Sequence, residues 1–310
     1  MTTLAMNRVH SLDEVAALEI GPAALALGVF DGVHRGHQAL LSATREAAAA
    51  RRAHPVALVF DPSPIEVIRN DLTLERVAPL RENLAAIAEA GVQPIAIRFD
   101  EPLRDLPAEV FLDRLGPGIR PVAVVMTPAS AFGKDRAGTP EHLATAGAER
   151  GWEVVRLDPE VDGGVISSTR IRRALADGDV LAATNLLGRY PALTGTVVRG
   201  DGRGRELGFP TANLAFAYRP ALPALGIYAG LANGLPAVVS IGRRPTFHTD
   251  GQVIAEAHLL DWSGDLYDQP LRVELVSRLR DEERFASVPE LVAQMDRDAS
   301  AARAVLSGIA

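Results

Sequence analysis

Three short clusters in this 310-residue chain combine residue types and spacings that could do chemistry. The first is Gly28-Val29-Phe30-Asp31-Gly32-Val33-His34-Arg35-Gly36-His37. Its glycines let backbone approach a phosphate closely. His34 and His37 can donate hydrogen bonds to phosphates and stabilise charge on a pyrophosphate leaving group. An isolated H-x-x-H reads as a Gly-rich turn with two surface histidines; the aspartate and the paired glycines favour a ligand. The second cluster, Ile166-Ser167-Ser168-Thr169-Arg170-Ile171-Arg172, sets hydroxyls and guanidiniums at a helix start. That is a phosphate-binding combination, although alone it matches a Ser/Thr cap with solvated arginines. The third runs from Gly200-Asp201-Gly202-Arg203-Gly204-Arg205 to Gly208-Phe209-Pro210-Thr211-Ala212-Asn213. Its glycines suit a loop closing over a phosphate, and Thr211 and Asn213 offer oxygen ligands to a hard cation such as Mg2+. Alternate spacing puts both on one face of an extended segment.

The surrounding pattern says which elements position these clusters. Short apolar runs at 25–30, 56–60, 94–99, 122–126 and 152–157 alternate with helical stretches at 37–52, 80–90 and 140–150. Apolar strands separated by helices predict a parallel sheet covered on both faces, a doubly wound α/β domain. The first cluster then sits where the first strand gives way to the first long helix. There, strand C-termini and a helix N-terminus make an anion site. Beyond about residue 187 the pattern changes to strands at 193–199, 226–231, 237–241, 253–260 and 271–279, with glycine- and proline-containing segments between them. This predicts an antiparallel barrel. A final helix is expected from Ser287 to about 306, with Ser287 and Glu290 as a capping box. The boundary falls near Gly188–Leu193, giving domains 1–187 and 188–310.

Composition narrows the function classes. Hydrophobic residues make up 47% of the chain, enough for sizeable cores, and the net charge of −7 argues against a general nucleic-acid binder. With no cysteine, disulfides, thiolate metal sites and a cysteine nucleophile are excluded. The N-terminus lacks a secretory apolar core, and no apolar run is long enough to span a bilayer. The expectation is a soluble cytoplasmic protein acting on small molecules, with no membrane or nucleic-acid partner. Homo-oligomerisation is left open.

Taken together, the first two clusters resemble the nucleotidyltransferase superfamily. That resemblance implies that Gly28, Phe30, Asp31, Gly36, His34 and His37 bind ATP phosphates. Ser168, Thr169 and Arg170 would hold the triphosphate from the other side, with His34, His37 and Arg170 catalytic. The reaction implied is attack of a phosphate on the α-phosphorus of ATP, which rests on positioning and charge stabilisation. The third cluster is similar to the riboflavin kinase signature, which ends in G-F-P-T-A-N. Gly226-Ile227-Tyr228, the stretch 242–247, Glu256-Ala257-His258-Leu259-Leu260-Asp261 and Gly264-Asp265-Leu266-Tyr267 follow in the family's order. The resemblance implies that Gly200, Arg205, Gly208 and Pro210 line the ATP loop, that Thr211 and Asn213 hold Mg2+, and that Glu256 is the base. Glu256 would accept the ribityl hydroxyl proton as that oxygen attacks the γ-phosphate.

Both halves in this order resemble the bacterial bifunctional riboflavin kinase / FAD synthetase (FMN adenylyltransferase) family, over roughly residues 22–300. The resemblance implies a Rossmann-like nucleotidyltransferase domain, then a mostly antiparallel six-stranded β-barrel kinase domain with a C-terminal helix. FMN would be made from riboflavin and ATP, then joined to AMP. Four positions depart from the family pattern. Ser63 replaces a histidine in F-[DE]-P-H-P, Ala129 and Ser130 replace an Asp/Asn and an aromatic before Phe132-Gly133-Lys134, and Ser240 replaces an asparagine. Little effect is expected from Ser240. The other three leave a kinase-only alternative, with a degenerate or repurposed N-terminal domain. A non-catalytic flavin-binding regulator would require Glu256 or the Thr211/Asn213 pair to be idle.

Overall fold

The computed structural model describes residues 8–309 except Pro117, Asp201 and 244–252. Arg244, Pro245, Thr246 and Phe247, part of one kinase-like stretch, lie outside the described residues. Two compact units make up the chain: residues 1–74 with 79–167, and residues 75–78 with 168–310.

The first unit contains α1 (Leu12–Ala16), β1 (Gly21–Gly28), α2 (Arg35–Ala50), β2 (His54–Asp61), α3 (Pro64–Ile68), α4 (Leu80–Glu89) and β3 (Gln93–Arg98). It continues with α5 (Glu101–Arg104), α6 (Ala108–Leu115), β4 (Ile119–Met126), α7 (Pro140–Arg150) and β5 (Glu153–Arg156). The five strands pair in parallel in the order β3-β2-β1-β4-β5. Alternate residues of each strand enter two separate cores. Leu25, Val56, Leu58 and Val124 face Phe111, Leu115 and Leu143 of α6 and α7, whereas Ala24, Ala26, Ala57 and Val59 face Leu41, Ala48 and Ile87 of α2 and α4. On this second face the strands contribute mostly alanine, including Ala24, Ala26, Ala57, Ala96 and Ala123, against Leu40, Leu41, Ala47 and Ala48 of α2. Phe30, expected to end the first strand, lies beyond it at φ 53°.

The second unit begins with α8 (Ser168–Ala176) and α9 (Val180–Leu187) and continues into β6 (Ala192–Val198), α10 (Arg203–Glu206) and β7 (Ala212–Ala215). β8 (Gly226–Ala232), β9 (Leu235–Arg243), β10 (Val253–Leu259), β11 (Pro270–Arg280) and α11 (Val288–Leu306) complete it. The six strands close a barrel in the order β10-β7-β6-β11-β8-β9, with every pairing antiparallel. Asn233 and Gly234, at φ 47° and 83°, join β8 to β9 as a two-residue hairpin of the kind that matches strand twist. α8 and α9 pack with the barrel: Ala224 N–H donates to the Leu175 carbonyl at 2.9 Å, and Val180 belongs to the barrel core. Their packing partner is therefore the unit that follows them, although the sequence pattern groups them with the domain before. Ser287 caps α11 through the Glu290 N–H at 3.4 Å, but the Glu290 carboxylate accepts from Ala286 N–H, so the capping box is half made.

Candidate functional site

In the first unit, His34 is the N-cap of α2, and its Nδ1 accepts a hydrogen bond from the His37 N–H at 3.3 Å. Accepting at Nδ1 leaves the His34 proton on Nε2, where it can serve as a donor. The two imidazoles stack at 3.7 Å with an 18° interplanar angle, and the Phe30 ring lies 5.0 Å from His37. Phe30 is wholly buried, so it packs beside His37 and offers no exposed surface to a ligand. Asp31 and His34 are buried as well. His37 Nδ1 is enclosed without a hydrogen-bond partner. Burial, and secondarily the neighbouring His34, hold the His37 imidazole well below the usual 6.5, so it is neutral at neutral pH. A Cβ on Gly36 would stand 3.3 Å from the His34 ring and 3.6 Å from the Ile166 carbonyl oxygen. Gly36 thus lets the 166 segment and His34 meet at the helix start. Gly32 N–H donates to the buried Asn83 Oδ1 on α4 at 2.9 Å, a support that sequence reasoning missed. An amide inside the apolar face of 80–90 was the available signal.

Gly28 lines a cavity of about 600 Å³ together with Leu27, Phe60, Phe99, Phe111 and Phe132, and Arg104, Lys134 and Arg136 also border it. Ala129 and Ser130 border it too. Ser130 Oγ accepts from Thr127 N–H at 3.1 Å and shares a hydrogen bond with the Thr127 hydroxyl at 2.9 Å, closing the 127–130 turn. Ser63 is the N-cap residue of α3, and its N–H donates to the Glu66 carboxylate at 3.0 Å. Ser168, Thr169 and Arg170 open α8 in the second unit, where Thr169 Oγ1 accepts from Arg172 at 3.4 Å.

The barrel sets its chemical groups by register. Asn213 on β7 pairs with Glu256 on β10, Glu256 with Ser240 on β9, Ser240 with Ile227 on β8, and Ile227 with Arg280 on β11. The residues alternating with this row, Ala212, Leu214, Ala255, Ala257, Val239, Ile241 and Tyr228, fill the barrel core. The row therefore faces outward. There, Thr211, Ser240, Glu256 and His258 line a cavity of about 230 Å³ whose other walls include apolar Ile227, Phe285, Leu291 and Met295 and charged Arg280, Glu282, Glu283 and Asp298.

The loop glycines lie on this row. A Cβ on Gly200 would fall 2.4 Å from Asn213 Nδ2, and one on Gly204 would fall 2.4 Å from the Phe209 carbonyl oxygen and 3.5 Å from Thr211 Oγ1. Asn213 is 8% exposed, and its Oδ1 has no hydrogen-bond partner. Gly208 turns the chain at φ 88°, and Arg205 is exposed on α10. The Pro210 carbonyl accepts from His258 Nδ1 at 2.8 Å, and Phe209 meets the His258 ring edge-on at 5.4 Å. His258 thereby anchors the segment before Thr211; its place two residues from Glu256, on the same strand face, was the sequence signal.

An unpartnered buried Oδ1 beside a hydroxyl fits a hard cation. Among the described residues no three His, Cys, Asp or Glu side chains cluster as a metal site, so a cation here would be held by neutral oxygens together with substrate phosphates. Among the same residues no helix is long and apolar enough to cross a membrane.

Comparison with known proteins matches both halves of the chain. The FAD synthetase family model matches residues 18–170, a span that includes Ser63, Ala129 and Ser130, and the riboflavin kinase model matches 187–306. The bifunctional riboflavin kinase/FMN adenylyltransferase of Escherichia coli K12 is 40% identical over 90% of this chain and 91% of its own. The Bacillus subtilis 168 protein of the same description is 31% identical over 96% of each chain. A solved structure titled as a macrolide-efflux protein from Streptococcus pneumoniae superposes with a TM-score of 0.85 at 30% identity, covering 95% of this chain and 98% of that one. With a family model matching each half in this order and relatives 31–40% identical over at least 90% of the chain, the chain belongs to the bifunctional riboflavin kinase/FMN adenylyltransferase family.

Proposed function

We propose that residues 188–310 phosphorylate riboflavin with ATP to give FMN, and that residues 1–187 join FMN to AMP, giving FAD and pyrophosphate. The observation that carries the kinase reading is the outward row of Asn213, Glu256 and Ser240 beneath Gly200. Glu256 accepts the proton of the ribityl hydroxyl as that oxygen attacks the γ-phosphate, leaving ADP. The cavity beside it offers Ile227, Phe285, Leu291 and Met295 to a flavin ring, and Thr211 also lines it. Gly200, Arg205, Gly208 and Pro210 shape the loop over the ATP phosphates. Mg2+ bound by Thr211 and Asn213 would neutralise charge on those phosphates. Asn213 and Thr211 orient the nucleotide, and His258 fixes their segment.

For adenylyl transfer, the flavin phosphate attacks the α-phosphorus and pyrophosphate leaves. His34 and His37, with Gly28, Asp31 and Gly36 around them, donate to the triphosphate at the α2 N-terminus. By the family resemblance, Ser168, Thr169 and Arg170 would bind nucleotide phosphate, with Arg170 neutralising leaving-group charge. The phenylalanine-lined cavity next to Gly28, rimmed by Arg104, Lys134 and Arg136, suits a flavin bearing a phosphate. The net charge of −7 supports small-molecule substrates over nucleic acid, and the lack of cysteine fits a cytoplasmic setting. Incubating the protein with riboflavin, ATP and Mg2+ while FMN and FAD are separated by chromatography tests the whole reading. FMN should accumulate and then convert to FAD. FMN that never converts, even at high FMN and ATP, would restrict the enzyme to the kinase step.

A further inference from the structure

We infer that the largely enclosed Arg280–Asp298 pair is a positioning element of the kinase pocket, holding the wall against which the flavin ring binds. This rests on the kinase reading above. Arg280 ends the register row that carries Asn213, Glu256 and Ser240. Its guanidinium forms a two-pronged bond to Asp298, Nε to Oδ1 at 2.9 Å and Nη2 to Oδ2 at 2.7 Å. The two side chains are 17% and 7% exposed. Gln294 adds a bond to Asp298 Oδ1 at 2.8 Å from one turn earlier in α11. Arg280 also donates to the Asp281 carbonyl at 2.8 Å and lies over the Phe285 ring. One side chain thus fixes α11, the segment after β11 and Phe285. All three contribute walls to the cavity that holds Glu256.

The anchoring of α11 shows why this pair matters to the pocket. The C-terminal half of the helix is held by apolar burial: Ala299, Ala302 and Leu306 pack on Ala229 and Leu260. The buried residues of α11 begin only at Asp298, so no fully buried side chain seats the preceding turns on the barrel. Those turns carry Leu291 and Met295, which face the cavity. The polar network at Asp298 is therefore the last tether before the cavity wall. A buried ion pair adds little net stability compared with an apolar substitute, but a bidentate fork fixes distance and angle.

The test is steady-state FMN formation by the full-length Arg280→Lys, Asp298→Asn and Asp298→Ala proteins, alongside their melting curves. Lysine keeps the charge and loses the fork. The expected result is a KM for riboflavin raised about tenfold or more, the scale of one disrupted buried polar contact. The KM for ATP and kcat should stay within about threefold. Should Asp298→Ala fail to fold, Arg280→Lys carries the same test. Unchanged KM for riboflavin in Arg280→Lys would overturn the inference. So would a fall in kcat that tracks the folded fraction at unchanged KM, because that is the signature of a purely structural bond. If the wild-type protein forms no FMN from riboflavin and ATP, the kinase reading itself fails and this inference falls with it.

Discussion

Substituting Gly200 by alanine isolates the geometry that the kinase reading depends on. The added Cβ would lie 2.4 Å from Nδ2, 2.8 Å from Cγ and 2.9 Å from Oδ1 of Asn213. These separations are all shorter than a van der Waals contact, so the amide must swing away. Asn213 is only 8% exposed on a strand paired on both sides, so the backbone cannot yield and χ rotation takes up the displacement. Gly200 is not in the left-handed region, so alanine itself is tolerated. Loss of one oriented polar contact costs about 1–3 kcal/mol. That is roughly a ten- to hundredfold fall in kcat/KM for FMN formation. Asn213→Ala should show a similar loss and a higher Mg2+ requirement, read from a Mg2+ titration at fixed ATP. The double variant should be no worse than Asn213→Ala alone, because both changes remove the same group. FAD formation from supplied FMN should be unaffected. Additive losses in the double variant, or a Gly200→Ala rate within about twofold of wild type, would refute the account.

Glu256→Ala should abolish FMN formation, a general base contributing roughly 10²–10⁴-fold, while the barrel's melting temperature stays put; near-normal turnover would remove its role. His34→Ala should lose FAD synthesis and about 1 kcal/mol of first-unit stability as a lost cap. His34→Asn, itself a strong N-cap, should restore the melting temperature but not the activity, and recovery of both would mean His34 acts only as a cap. The depressed His37 imidazole sets a pH dependence. Its folded state binds fewer protons than the unfolded chain below pH 6.5, so the stability it contributes is present above that pH and lost as the pH falls towards the folded value. The slope is at most about 1.4 kcal/mol per pH unit. Melting curves of wild type and His37→Gln should converge as the pH is lowered from 7.5 to about 5, and parallel curves would contradict the assignment.

The parallel sheet and most barrel strands were legible because burial on one or both faces leaves a strong apolar pattern. β7 was not, since four residues, Ala212–Ala215, carry too little periodicity. They read instead as the end of a glycine loop. The domain boundary was placed by a change of pattern, whereas α8 and α9 pack by tertiary contacts that no local signal encodes. Glu256, Thr211 and Asn213 were singled out through their motifs, but the alignment of Asn213, Glu256 and Ser240 on one outward row depends on strand register across β7, β10 and β9. Arg280 and Asp298 were invisible for the same reason, being 18 residues apart and joined only once α11 folds back.

The departures at Ser63 and Ser130 gain a physical meaning from where they fall. Both lie in turns at the ends of strands: Ser63 just after β2 at the N-cap of α3, and Ser130 closing the turn after β4. At such positions a hydroxyl can satisfy nearby backbone groups, and an imidazole or aromatic ring is not required for the chain to turn. Phe60, Phe99, Phe111 and Phe132 line the cavity that Ala129 and Ser130 also border, and the His34–His37 pair is stacked. What changes is the wall of the cavity at Ala129, which presents a methyl group where the family pattern has a hydrogen-bonding side chain. On the proposed reading, these departures should weaken flavin binding at that wall without altering His34 and His37 at the α2 N-terminus, so the KM for FMN should carry the effect more than kcat for FAD formation.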